Sequence, residues 1–148
     1  MKLPVLIVRS VSVEMLTAVL DACAARWPGH PILVVTNPAR GSELRADPRI
    51  DEIIAYTMGA VGFSAPIGCP HALESVVVPV ANYSGSGYAN VMRAARNLHT
   101  RSWFIASHAR QLRELNERQW TRRWRTELML EPLARSLGRL WSASIRLD

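Results

Sequence analysis

Apolar residues in this chain come in short unbroken runs, separated by stretches in which they recur every three or four positions. Leu3-Pro4-Val5-Leu6-Ile7-Val8 and Ile32-Leu33-Val34-Val35-Thr36 are runs of the first kind. They lack polar alternation, as expected of strands in a parallel sheet covered on both faces. Between them, Val13, Leu16, Val19, Leu20, Cys23 and Ala24, with Trp27 one step on, give the spacing of a helix with one buried stripe. Ser12 is a natural N-cap, Glu14 sits where a carboxylate favours the positive end of the helix dipole, and Pro28-Gly29 is a stop. Residues 3–37 therefore predict one βαβ unit.

The same reading continues down the chain. After the Asn37-Pro38-Ala39-Arg40-Gly41 turn, Ser42 is placed to cap a short helix over Glu43-Leu44-Arg45, which Asp47-Pro48 ends. Residues 50–56 predict a third strand whose flanking acids suit a sheet edge. The Gly/Pro-rich stretch from Thr57 to Leu73 predicts a crossing loop or weak helix. Residues 75–80 form a fourth strand, 89–98 a helix and 101–107 a fifth strand. From Ala109 onward Leu112, Leu115, Trp120, Trp124 and Leu128, then Leu133, Leu137, Leu140 and Trp141, predict two successive amphipathic helices, the second opened by Pro132. The expected fold is α/β, a three-layer Rossmann-like open parallel sheet of about five strands in the order 3-2-1-4-5. Residues 1–108 form that domain, and 109–148 form a helical extension packed on it or on a partner.

At 148 residues and 49% hydrophobic content, the chain suits one domain with one substantial core. No window approaches the roughly 20 apolar residues that cross a bilayer. Met1-Lys2-Leu3-Pro4 enters a strand without a small-residue cleavage site, so a cytoplasmic location is expected. Cys23 and Cys69 are too few and too far apart for a disulfide framework or a zinc motif, and nothing near Cys69-Pro70-His71 completes a metal site. No metal and no cofactor is expected. His30, His71, His99 and His108 have no mutual spacing that suggests a catalytic pair. Of the net charge of +6, residues 101–148 carry ten arginines against five acids. That excess points toward an acidic partner.

The first 57 residues resemble the amino-terminal half of the heptosyltransferases, the ADP-heptose-type lipopolysaccharide glycosyltransferases of family 9. The resemblance rests on Ile7-Val8-Arg9-Ser10, Ala25-Arg26-Trp27-Pro28-Gly29, Val34-Val35-Thr36-Asn37-Pro38 and Asp47-Pro48-Arg49-Ile50-Asp51-Glu52-Ile53-Ile54, in the family's order and spacing. It implies half of a GT-B enzyme of nucleotide-sugar or lipopolysaccharide-type metabolism, either degenerate or acting beside a separate second domain. The family's Gly-Asp, whose Asp is taken as the catalytic base, stands here as Val13-Glu14 in a turn without its glycines. Glu14 is the positional match.

In the order 3-2-1-4-5, strands one and four are neighbours whose connections leave in opposite directions. Residues 9–14 and 82–90 then line one crevice. Arg9, Ser10 and Ser12 on one side, and Asn82, Ser84, Gly85, Ser86 and Gly87 on the other, are the candidate ligand or phosphate contacts. The Ser-Gly-Ser-Gly turn offers backbone N–H groups before a helix, and Arg9 offers a planar charged fork. It lacks the third glycine of a dinucleotide fingerprint and the lysine of a P-loop. Glu14 would be the general base toward a sugar hydroxyl. Against these stand a plain turn, a salt-bridged strand end and a first-turn helix carboxylate. Tyr83 and Tyr88 would stack on a base or sugar, or pack on the sheet. The Arg/Trp-rich tail leaves several readings open: a cover for the last strand, a homo-oligomer or partner-protein interface in a non-enzymatic module, or a membrane or nucleic-acid surface. A small hydrolase or deaminase lacks its nucleophile or metal signature.

Overall fold

The computed structural model describes residues 1–57, 59, 62–81, 88–107 and 111–144; the side chains at 127, 131, 134, 135 and 137–144 fall outside that description. The strands are β1 (Val5–Val8), β2 (Ile32–Thr36), β3 (Glu52–Ala55), β4 (Leu73–Val80), β5 (Thr100–Ser107) and β6 (Leu112–Leu115). The helices are α1 (Val13–Arg26), α2 (Pro38–Gly41), α3 (Ala89–Ala94) and α4 (Glu117–Ser144). One sheet runs in the order β3-β2-β1-β4-β5-β6, parallel throughout except for the antiparallel β5–β6 pair. The α/β fold and the 3-2-1-4-5 order read from the sequence are therefore present, with a sixth strand added.

The unbroken apolar strands are buried on both sides. Val5, Ile7, Val34, Val77 and Phe104 face α1, against Leu16, Val19, Leu20 and Cys23. Leu6, Val8, Val35, Val76, Val78 and Ile105 face the other layer, built from α3, the start of α4 and the 56–69 segment. Burial pushes the Cys23 thiol up to about 12, so it behaves as a packed apolar group. Ser12 caps α1, its hydroxyl accepting the Met15 N–H, and Gly29 turns the chain at φ +74° beyond the helix.

The 57–72 crossing has no helix among its described residues. It is held as a loop: the Tyr56 hydroxyl donates to the Ala65 carbonyl (2.6 Å) and accepts the Ala65 N–H (2.9 Å), while Phe63 stacks on the Tyr56 ring. Phe63 and Ile67 occupy the layer where a crossover helix would sit.

Three elements differ from the sequence reading. The short helix after β2 is α2, capped by Asn37 with Pro38 in its first turn, and residues 42–46 are turns. Leu112 to Leu115 is a strand and not the start of a helix. A spacing of three puts two leucines on one face of a helix but on opposite faces of a strand. Here Leu112 packs with the α1 layer and Leu115 with the α3/α4 layer. Pro132 does not open a second helix but lies inside α4. It removes one N–H from the ladder, opposite the Leu128 carbonyl. The good helix formers on both sides, Leu128-Met129-Leu130-Glu131 and Leu133-Ala134-Arg135, carry the helix past it.

Candidate functional site

Between β1 and β4 the chain connections part. The β1 strand leads into α1 on one face, and β4 leads toward α3 on the other. Such a parting leaves a crevice at the carboxyl ends of the two strands. Pro79, near the end of β4, stands at the β4 side of the crevice rim. A proline inside a central strand is ordinarily excluded because it cannot donate to the ladder. The β1–β4 pairing, however, ends at Ile7↔Val77, whereas β4 stays paired with β5 as far as Val80↔Ser107. Along an extended strand the N–H and C=O of one residue point the same way, and the Pro79 carbonyl accepts the Ser10 hydroxyl at 2.9 Å. Its nitrogen thus faces the β1 side, where the β1–β4 ladder has its last pair at Ile7↔Val77, and the β4–β5 pairing continues undisturbed.

Arg9, the residue after β1, is 4% exposed. Its Nε donates to the Val11 carbonyl (3.3 Å) and its Nη1 to the Arg40 carbonyl within α2 (3.4 Å), both long bonds. Its Nη2 lies 3.8 Å from a Glu43 carboxylate oxygen and has no hydrogen-bond partner among the described residues. Burial lowers the Arg9 pKa, with Glu43 acting in the opposite direction and Arg40 adding to the lowering. A guanidinium so placed keeps its charge at neutral pH. Glu43 itself is more than half exposed.

Ser10 bridges the two strands, and Ser12 is committed to the α1 cap. Glu14 is exposed on the first turn of α1. Hydrogen bonds from its own backbone N–H and from Ser12 hold its carboxyl below the ordinary range, with a smaller pull from Arg9. A lowered pKa makes a carboxylate a weaker base, so Glu14 is better suited to carrying fixed negative charge than to taking a proton. Tyr88 is half-buried against the α3 layer, and its hydroxyl accepts the Ala81 N–H at 2.8 Å, which holds those two residues together. Asn82, Tyr83, Ser84, Gly85, Ser86 and Gly87 lie outside the described residues. Ala81, the last described residue before them, directly follows the β4 end that touches Ser10.

Arg40 and Glu43 are absent from the sequence-based site. They stand 31 and 34 positions after Arg9, and only the adjacency of β1 and β2 brings the turn after β2 to the end of β1. Among the described residues no group of three or more His, Cys, Asp and Glu is placed to hold a metal ion; His71 reaches Glu52 at 3.4 Å. No helix among them is long and apolar enough to cross a membrane.

Comparison with protein-family models, with curated proteins and with solved structures yields no significant match to this chain.

Proposed function

We propose that the crevice at the ends of β1 and β4 binds the phosphate of a nucleotide or sugar-phosphate ligand, in a glycosyltransferase-like half domain of nucleotide-sugar or lipopolysaccharide-type metabolism. The observation that carries this reading is Arg9: a buried guanidinium at the carboxyl rim of the sheet, with two long hydrogen bonds, one loose ion pair and one nitrogen lacking a hydrogen-bond partner among the described residues. Buried donors are nearly always paired, and an anion in that position would supply what Nη2 lacks. The heptosyltransferase-like motifs in residues 1–57 supply the ligand class, since they place the same arginine at the end of the first strand. Glu14 would then contribute charge near the ligand, and a transferred group would need a proton acceptor supplied by substrate or by a second domain.

Glu43 is the natural competitor for such an anion. A panel of nucleoside diphosphates and sugar nucleotides should raise the melting temperature, and Arg9→Ala should remove the shift. Glu43→Gln should tighten binding by about fivefold, because it deletes an ion pair worth at most roughly 1 kcal/mol. An absent shift across the panel, or weaker binding in Glu43→Gln, would leave Arg9 as a structural staple between β1 and α2.

A further inference from the structure

One long element is only partly used by the fold. Trp120, Trp124 and Leu128 turn the first half of α4 toward the core. On the opposite side, Arg118, Arg122, Arg125, Met129 and Leu133 recur at steps of four, three, four and four, which places them on one outward stripe. All five are exposed, Met129 at 76% and Leu133 at 61%, with Leu130 beside them at 55%. The five positions hold no acidic residue, and Glu117 stands beside their first turn in the same groove as Arg118 and Arg122. The stripe is cationic toward the helix start and aliphatic further on, over about 22 Å from Arg118 to Leu133. Arg113 of the edge strand β6 shares a shallow groove of about 380 Å³ with Arg122 and so widens the cationic end. In sequence, Leu137 and Leu140 continue the aliphatic positions at steps of four and seven from Leu133.

From this arrangement we infer that the outward face of α4 docks on the anionic surface of a lipid bilayer, arginines against headgroup phosphates and aliphatic side chains between the acyl chains. Charge complementarity selects this occupant. A second copy would set like against like, since α4 carries six arginines and three glutamates. A nucleic acid would gain phosphate contacts but no stacking on Trp120 and Trp124, which are buried, and it has no use for Met129, Leu130 and Leu133. A surface that is both anionic and apolar a few ångströms down uses both ends of the stripe. This inference is independent of the ligand proposed for the β1–β4 crevice.

The test is flotation of the full chain with vesicles of phosphatidylcholine alone and of an equal mixture of phosphatidylcholine and phosphatidylglycerol. The chain should float with the anionic vesicles only, and salt should release it. Arg118→Gln/Arg122→Gln should weaken partitioning more than about tenfold, from about fivefold per charge. Met129→Ser/Leu130→Ser/Leu133→Ser should abolish it, while both variants keep the parent's circular dichroism and unfolding midpoint. Three results would overturn the inference. One is failure to float with anionic vesicles, including the case where polyglutamate peptide binds instead. A second is flotation that neither variant alters. The third is a vesicle-free dimer in light scattering that the triple serine variant converts to monomer, which would give the face to a second copy.

Discussion

Trp120 and Trp124 lie one turn apart on the same side of α4, yet their indole nitrogens differ in their surroundings. The Trp120 N–H donates to the Met92 carbonyl at 3.2 Å, inside the interface of α3 and α4, and its ring lies 4.5 Å from that of Trp103. Trp124 is also buried, and its N–H finds no acceptor among the described residues. Replacing either with Phe removes similar ring volume and trims one ring contact, that of Trp120 with Trp103 and that of Trp124 with the Arg125 guanidinium, so the hydrogen bond is the largest difference between the two. Trp120→Phe should cost at least about 1 kcal/mol more than Trp124→Phe, because it also strands a buried carbonyl. Urea titrations with unchanged slope would measure this; equal costs would mean that the Trp120 bond contributes nothing. The sequence showed both tryptophans at helical spacing and left open whether they cover the sheet or face a partner. The cover is what is found. Spacing alone could not decide, since both faces of α4 carry apolar residues.

At the scale of elements, charged side chains join segments that local pattern treats separately. Arg49 pairs with Asp47 in its own turn and reaches back to Asp21 on α1. Hydrogen bonding from Arg49 holds the Asp47 carboxyl below its usual value of 3.8, and the ion pair adds to the effect. A lowered folded-state pKa contributes stability above the unfolded value, and that contribution is lost as pH falls through the folded value. The clamp should therefore weaken only below about pH 4, and Asp47→Asn should flatten that acid limb of a stability profile while changing its neutral part modestly. An acid limb unchanged in Asp47→Asn would remove Asp47 from the account. The strands were legible because a parallel sheet covered on both sides demands uninterrupted apolar runs. The sixth strand was not, because Leu112 and Leu115 satisfy a helix and a strand equally well over four residues. The position of α2 turned on which residue caps it: Asn37 with Pro38 in the first turn prevails over Ser42.

For the whole molecule, the first part of α4 belongs to the core and the part beyond Leu128 has exposed aliphatic side chains at Met129, Leu130 and Leu133. A chain ending at Leu128 should keep one cooperative unfolding transition. One ending at Asn116 should lose it and bind a hydrophobic dye, since Trp103 and the α3 layer would then face water. Retained cooperativity in the shorter chain would show that α4 is dispensable. The site was legible to the extent that topology sets it: once β1 and β4 are neighbours, Arg9 and Ser10 must stand at their shared rim. The Arg40 carbonyl and Glu43 were hidden, because nothing within a few residues of Arg9 announces a contact made across the sheet. Pro79 adds a last point about that rim. Without a donor there, β4 makes no further backbone ladder bond to β1, and the Ser10 hydroxyl on the Pro79 carbonyl ties the two strands at that rim instead. A side chain thus takes over where the backbone has run out of donors.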